Sequence, residues 1–293
     1  MTKLINLYCT ICQCNDIRFV EQLQHSSNFK SAQFTDRELI TAYLWGKHVG
    51  LQTRKSIHAF IKEYLHDWFP KLPSYQAFCR RLNRLANAFA ALAEIWTEEK
   101  LRSSEPTDTY ILDSCPIMVS KGSRCNTAKT AREICKLTRN STRNEWYHGI
   151  KLHAYVASQP HRLPLPCALQ ISTSTLCDLW AARQMDFDCA PVQDGKLYAD
   201  RAYIDADWKA WLKKERNIEL ITPRKKKKYD TLCSEDAASS FVSSVRQPIE
   251  SYFNWLNVKT GIQNASHVRS FRGLLSHVFA CLAFAAFCKL FNY

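Results

Sequence analysis

Acidic side chains are in short supply in this chain. Asp and Glu number 27 against 40 Lys and Arg, which leaves a formal charge of +13 and a pI near 9.2. So basic a protein attracts polyanions, which directs attention to nucleic acid or an anionic membrane surface. A clean membrane-spanning run is also missing. The most apolar stretch, "LLSHVFACLAFAAFCKLF", contains Ser276, His277 and Lys289 and follows a basic segment. A spanning helix needs about 20 residues with few charges, so this stretch reads as a buried C-terminal helix. Disulfide-type spacing is absent too, because the 13 cysteines are odd in number and scattered from Cys9 to Cys288. The opening "MTKLINLYCTICQCND" has neither the apolar core nor the cleavage site of a secretory signal. Free thiols in a reducing cytoplasm are the expectation. Cys9, Cys12 and Cys14 lack the distant second pair that a structural zinc site requires.

The positive charge is distributed. Arg80, Arg81 and Arg84 form one cluster, the segment from Arg132 to Arg143 a second, and "PRKKKKYD", with Lys225, Lys226, Lys227 and Lys228, a third. Spread patches suit a long ligand better than a point anchor, although a short lysine run is also what a solvated loop looks like. No internal repeat or long low-complexity segment is present.

From Asp36 to about Glu99 the apolar spacing is helical, and Gly50, Pro70 and Pro73 punctuate it into three helices. Ser74 reads as an N-cap, with Tyr75, Phe78, Leu82 and Leu85 as the inner stripe of the third helix and the arginines on its other face. Such a basic helix fits a DNA-binding module of helix-turn-helix type or an ordinary helical bundle. Beyond Pro106 the pattern changes. "DTYILDSCPI", "YHGIKLHAYVAS", "LPCALQIST", "KLYADRAYID" and "IELITP" read as strands and "DLWAARQMDF" as a helix; helices over about 248–260 and 269–290 close the chain. The expectation is an α/β domain over residues 106–293, preceded by a smaller all-helical domain over residues 1–105.

Two acids stand out in that second half. Asp113 in "YILDS" and Asp200 in "LYADR" each follow a short apolar run, where a sheet has little use for a carboxylate. In open α/β sheets, ligands bind at the carboxyl ends of strands. A third acid, Glu250 in "RQPIESYFNWLN", follows Pro248 and reads as a first-turn residue favoured by the helix macrodipole. Two strand-end aspartates with one helix-borne glutamate are equally a set of hard oxygen donors for Mg²⁺. Two such ions can clamp the attacking and leaving oxygens of a phosphoryl transfer. Asp205, Asp207 and Asp178 read as helix-start residues, His148 as a satisfied structural histidine, and Trp255 as a helix-interface side chain.

The segments "ILDSCPIMVSK", "HGIKLHAYV", "LYADRAYID" and "RQPIESYFNWLNVKTGIQNASHVRSFRGLLSHVF" together resemble the DDE transposases of bacterial insertion sequences. The resemblance covers roughly residues 106 to 290. It implies an RNase H-like mixed sheet flanked by helices, with Asp113, Asp200 and Glu250 as catalytic ligands of Mg²⁺ or Mn²⁺, two ions in all. It further implies cleavage of double-stranded DNA at terminal inverted repeats, joining of the freed 3′-hydroxyl to target DNA, a homodimer, and a nucleoid-associated protein. Arg246, four residues before Glu250, matches the family pattern. A tyrosine seven residues before the glutamate and a lysine seven after it are replaced by Ser243 and Asn257. Lys259 lies two residues further on, about 200° around a helix from position 257. These departures bear on how DNA ends are gripped, through Arg246, Lys259, the lysine run and the Arg80, Arg81, Arg84 cluster. An RNase H-like nuclease without strand transfer, and a noncatalytic DNA-binding regulator, are the alternatives.

Overall fold

The computed structural model describes residues 2–24, 33–140, 144–189, 192–224 and 237–291. Its contacts divide the chain into two units. One holds Met1–Lys100, Lys129–Glu133 and Leu256–Tyr293; the other holds Leu101–Ala128 and Ile134–Trp255. The first break thus follows Lys100. The C-terminal segment, expected to belong with the sheet, groups instead with the N-terminal helices.

The helical unit opens with α1 (Thr2–Gln13), the short α2 (Ile17–Val20), α3 (Asp36–His48), α4 (Arg54–Tyr64), α5 (Tyr75–Arg84) and α6 (Ala86–Arg102). Thr35 and Glu38 close α3 with a capping box, and Ser74 caps α5 through the Ala77 N–H, as its position after Pro73 predicts. Four helices occupy the stretch from Asp36, not three. The extra break falls between Leu85 and Ala86, where no glycine or proline announces it. Phe78, Leu82 and Leu85 are buried as expected, but Tyr75 is exposed and sets its ring edge against His58. Residues 65–74 separate α4 from α5, longer than the three- or four-residue turn of a helix-turn-helix.

The reason the C-terminus joins this unit is its last helix, α10 (Phe271–Leu290), which is apolar on nearly every face and buried along most of its length. It is the one described helix long and apolar enough to cross a membrane, and 78% of its apolar window is buried inside the protein. Its polar residues are matched: Ser276 donates to the Leu82 carbonyl at 2.8 Å, and His277 meets the Ile262 carbonyl at 3.1 Å. Burial pushes His277 and His267 down to about 3, so both rings are neutral at physiological pH. Lys47, only 2% exposed, donates to the Thr260 carbonyl at 3.0 Å and the Gln52 carbonyl at 3.3 Å. A cation there satisfies carbonyls at a helix C-terminus. Gly261, with φ +69°, stops that helix as expected.

In the other unit β1 (Thr109–Lys121), β2 (Lys136–Asn140), β3 (Glu145–Ala157), β4 (Leu165–Thr173), β5 (Gly195–Tyr198) and β6 (Ile218–Ile221) form one mixed sheet, with α7 (Asp178–Cys189), α8 (Ala206–Arg216) and α9 (Ala237–Thr260) interspersed. The strand order is β2-β3-β1-β5-β6, with β4 also on β3. β2 and β4 share one edge of β3, pairing with Glu145–Gly149 and Ile150–Ala157 respectively. β1 and β3 are antiparallel, whereas β1, β5 and β6 run parallel. This is the RNase H-like α/β arrangement, a mixed sheet flanked by helices. Gly149 is obligatory: a Cβ there would sit 2.1 Å from the Ile117 carbonyl oxygen, beside a register shift in β1.

Alternation along the strands sorts the two faces. Leu112, Tyr155, Leu197 and Leu220 pack with Ala182 and Met185 of α7 and Trp208 and Leu212 of α8. On the opposite face Asp113 meets Arg246, and the Tyr198 ring meets Phe241, both partners from α9. Asp186 sits within the α7/α8 layer, 1% exposed, accepting hydrogen bonds from Tyr155 Oη at 3.0 Å and Trp208 Nε1 at 2.8 Å. Burial pushes its carboxyl up to about 6, against those two donors. The folded chain therefore holds this proton through a pH window in which the unfolded chain has lost it. The contribution is full below the ordinary aspartate range and fades as pH rises through about 6. We expect Asp186→Ala to cost about 3 kcal/mol, because two buried donors lose their acceptor. Asp186→Asn should flatten the decline in urea midpoint between pH 4 and pH 7; an undiminished decline would assign it to another group.

Candidate active site

Asp113 is not at a strand end: β1 continues eight residues beyond it, to Lys121, paired with β3 apart from the register shift at Val119. The sheet tolerates a polar pair there because both side chains find partners. Asp113 Oδ2 accepts from Arg246 Nη2 at 3.0 Å and its Oδ1 accepts from the Ser114 N–H at 2.8 Å. Ser114, pointing to the other face, donates to Asp178 Oδ1 at 3.1 Å. What does end near Asp113 is the parallel pairing. Ile111 lies opposite Tyr198, the last pair between β1 and β5. Asp113 stands two residues further along β1, and Asp200 two residues past the end of β5. Asp200 begins the turn after β5, its carboxylate accepting from the Ala202 N–H at 2.7 Å.

Burial pushes the Asp113 carboxyl up to about 6, and the negative charges of Asp200 and Asp178 push the same way; Arg246 and the Ser114 N–H oppose them. The two sequence-selected aspartates therefore feel each other's charge. The Arg246 contact is one-pronged, and its buried Nε has no hydrogen-bond partner. A two-pronged pairing would have used that nitrogen, so the guanidinium keeps a donor for another acceptor.

Glu250 does not open a helix. α9 starts at Ala237, so Pro248 is internal and Glu250 lies in the second half. A mid-helix proline forfeits the bond to the Ser244 carbonyl, a cost of roughly 3 kcal/mol. Proximity to the positive helix end no longer accounts for the acid. Its position does place it one turn beyond Arg246, on the same face. Glu250 is exposed beside the buried stripe Ile249, Tyr252, Phe253 and Leu256. Trp255 is half-buried and stacks on Tyr252 at 6.0 Å.

The remaining expected residues scatter. Arg80 and Arg84 are exposed, but Arg81 turns inward to Asp36, a 2.6 Å ion pair with an aspartate only 2% exposed. A buried carboxylate needs such a partner, so Arg81 serves the helical unit's own packing. Lys259 is exposed and belongs to the helical unit. Lys225 to Lys228 lie outside the described residues. Ser243 donates to the Ser239 carbonyl and Asn257 accepts from the Gln263 N–H, so both substituted positions serve local backbone. Asp205 caps α8 as expected, through the Trp208 N–H.

Asp178 has a larger part than its place in the sequence suggests. It opens α7, as expected, but also takes the Lys151 ammonium at 2.9 Å and the Ser114 hydroxyl, tying that helix to the face of the sheet opposite Asp113. His153, fully buried, pairs with Ser172 at 2.7 Å beside it, and burial lowers the ring to about 4. Lys151 and His153 share a face at a spacing of two, a signal that was readable only with a partner strand in hand.

A family model described as a transposase DDE domain matches residues 103–270, more than half of the chain. The chain belongs to the transposase DDE family. No curated protein and no solved structure matches it. The matched segment contains Asp113, Asp200, Arg246 and Glu250. Families of this kind use divalent metal ions, and the donor chemistry here fits one. Asp113 and Asp200 are hard oxygen donors, and the negative charge of Asp200 that helps push the Asp113 carboxyl up is what a cation would relieve. Among the described residues no three His, Cys, Asp or Glu side chains converge as a metal-holding group; Arg246 stands on Asp113 instead.

Removing Arg246 takes away the main charge that holds the Asp113 carboxyl down. In Arg246→Ala the Asp113 titration midpoint, followed by carboxyl ¹³C NMR, is expected to move above its value of about 6 in the parent chain. An unmoved midpoint would mean that the pair is not formed in solution.

Proposed function

We propose that this chain is a DNA transposase that cleaves the ends of its insertion sequence and joins the freed 3′-hydroxyl to target DNA by phosphoryl transfer. The observation that supports the reading is Asp113, held by Arg246 of the helix that also bears Glu250, with the negative charge of Asp200 acting on the same carboxyl. Asp113, Asp200 and Glu250 would hold the divalent ions, which supply Lewis-acid stabilisation of phosphate charge and an activated oxygen nucleophile. The protein's own contribution is positional. β1 fixes Asp113 and the turn after β5 fixes Asp200, while α9 carries the glutamate and the arginine as one piece. Arg246, with a spare Nε–H, is suited to take a phosphate oxygen once Asp113 is otherwise engaged. Phosphodiester exchange needs no nucleotide cofactor, because one ester replaces another.

The surface that grips DNA would include Arg80, Arg84, Lys259 and the lysine run at 225–228, drawing on the net charge of +13. Two element ends must meet, which favours a dimeric assembly. A noncatalytic DNA-binding protein of the same family is the second reading, favoured by the Arg246 guanidinium standing on Asp113 and by the lack of a converged three-ligand group among the described residues. Nuclease action without transfer differs only in the absence of joined products.

The deciding experiment incubates purified protein with labelled DNA carrying the element's own borders and a target plasmid, in Mg²⁺ or Mn²⁺. Cleavage and joined products are expected, with Asp113→Asn, Asp200→Asn and Glu250→Gln each reduced to background while still shifting the border DNA. Binding without cleavage in either metal would establish the noncatalytic reading; cleavage surviving in Glu250→Gln would remove that residue from the site. A second outcome concerns grip. The double variant Arg80→Ala/Arg84→Ala should lower the slope of log affinity against log salt by about 2, one for each phosphate no longer neutralised. An unchanged slope would place the DNA elsewhere.

A further inference from the structure

The helical unit carries a basic cavity where its last helix begins. α10 starts against the end of α5. Ser276 donates to the Leu82 carbonyl, and Arg54 joins the two helices by donating to Asn83 Oδ1 at 2.6 Å and to Ser276 Oγ at 3.1 Å. Gly273 is buried at this junction, where a Cβ would stand 3.5 Å from Asn83 Oδ1. Beside it lies an open cavity of about 440 Å³, lined by Arg80, Asn83 and Arg84 of α5, by Glu133, and by the start of α10 with Arg272. All of these residues belong to the helical unit.

The lining is rich in donors that the protein leaves unused. Arg80, Arg84 and Arg272 are exposed, and among the described residues none of them makes a hydrogen bond or an ion pair. Arg81, next to Arg80 in the chain, behaves differently and turns inward to Asp36. Asn83 gives its side-chain oxygen to Arg54, which leaves its amide hydrogens without a partner. At the head of α10, Ser270 caps the Gly273 N–H, while the N–H groups of Phe271 and Arg272 find no acceptor among the described residues. Glu133, the one acid of the lining, is exposed and pairs with none of the three arginines.

Three cations around one cavity, none of them held by a carboxylate, repel one another, and an anion placed among them relieves the repulsion. Guanidinium groups and the free N–H groups of a helix start share a preferred acceptor, the phosphate oxygen. Arg80 and Arg84 stand one turn apart on the same face of α5, so they present their charges as a row and not as a single point. We propose that this cavity seats consecutive backbone phosphates of one DNA strand. Arg272, Asn83 and the head of α10 would take one phosphate, and Arg80 and Arg84 its neighbours. The helix that builds the core of the unit would thereby also anchor its ligand. Phosphate contacts set the position of DNA and carry no base information, so the seat would act on duplexes of any sequence.

The inference rests on the reading that the chain binds DNA. Its test uses binding alone, in EDTA, so that cleavage plays no part. Fluorescence anisotropy is measured for the full chain across a salt series, with labelled border DNA and with an unrelated duplex of the same length. Arg272→Ala is expected to weaken both on the order of ten-fold at low salt and to lower the slope of log affinity against log salt by about 1. Arg272→Lys, which keeps the charge, should keep the slope and recover part of the affinity. Glu133→Gln removes the acid of the lining and should tighten both duplexes about three-fold at low salt, a gain that misfolding cannot produce. Unchanged affinity and slope in Arg272→Ala would overturn the proposal while DNA binding stands. A loss confined to border DNA would also overturn it, since that is the mark of base reading. A parent chain that binds neither duplex would remove both this inference and the reading beneath it. Thermal unfolding with and without inorganic phosphate, at constant ionic strength, separates the remaining source. Phosphate stabilisation that is lost in Arg272→Ala, together with unchanged duplex affinity, would assign the cavity to a free anion and overturn the DNA seat.

Discussion

The register between β1 and β5 is the constraint on which the candidate site depends. Ile111 pairs with Tyr198; Asp113 follows two residues later on β1, and Asp200 two residues past Tyr198 in the turn after β5. A slip of one residue in either strand would send one carboxylate to the α7/α8 face and leave a core leucine facing α9. The hydrophobic pattern guards against this slip. Leu112, Leu197 and Leu220 are all at or near zero exposure in the layer beneath α7 and α8, so packing on one face of the sheet fixes which residues reach the other. The site is in this sense a by-product of the core behind it.

The electrostatics of Asp113 show a balance left incomplete by the protein alone. Burial and two neighbouring negative charges favour its protonated form, and one arginine opposes them through a single prong. A purely structural ion pair would be expected to use both prongs and to leave no buried N–H idle. Here Arg246 Nε is unpaired, and so is the Tyr203 hydroxyl on the other side of the sheet, within reach of the same charges. A cluster of this kind is stabilised by anything that brings positive charge to the carboxylates and an oxygen acceptor to the guanidinium. A metal-bound phosphodiester supplies both.

α9 joins these considerations to the backbone. With Pro248 inside it the helix forfeits one hydrogen bond, and Ser243 and Ser244 turn their hydroxyls back onto carbonyls of the preceding turn. Side chains that bond back in this way bend helices slightly. The stripe Val242, Ile249, Tyr252, Phe253 and Leu256 nonetheless buries almost completely, and that burial outweighs the local loss. It also fixes the azimuth of Arg246 and Glu250, which ride on the edge of the stripe.

Much was determined by the sequence alone. Five of the six strands were legible because β-branched and aromatic runs between turn residues have few other uses, whereas the polar, half-exposed β2 carried no such run; Asp113 and Asp200 were conspicuous because a strand resists a carboxylate, although Asp113 lies inside β1 and not at its end. The order of motifs likewise carried the family. Helix limits were less legible. Nothing local marks the break at Leu85, and Pro248 suggested a start where the helix was already eleven residues long, because packing of an apolar stripe can override a proline. Tertiary structure alone decided which partners the charges found: that Arg81 serves Asp36, that Asp178 ties α7 to β1 and β3, and that Arg246 reaches Asp113 across 133 residues of chain. The reason is range. Propensity and periodicity act over a few residues and are written locally, whereas the pairing of buried charges depends on register and on which faces meet, and those are set only when the sheet assembles.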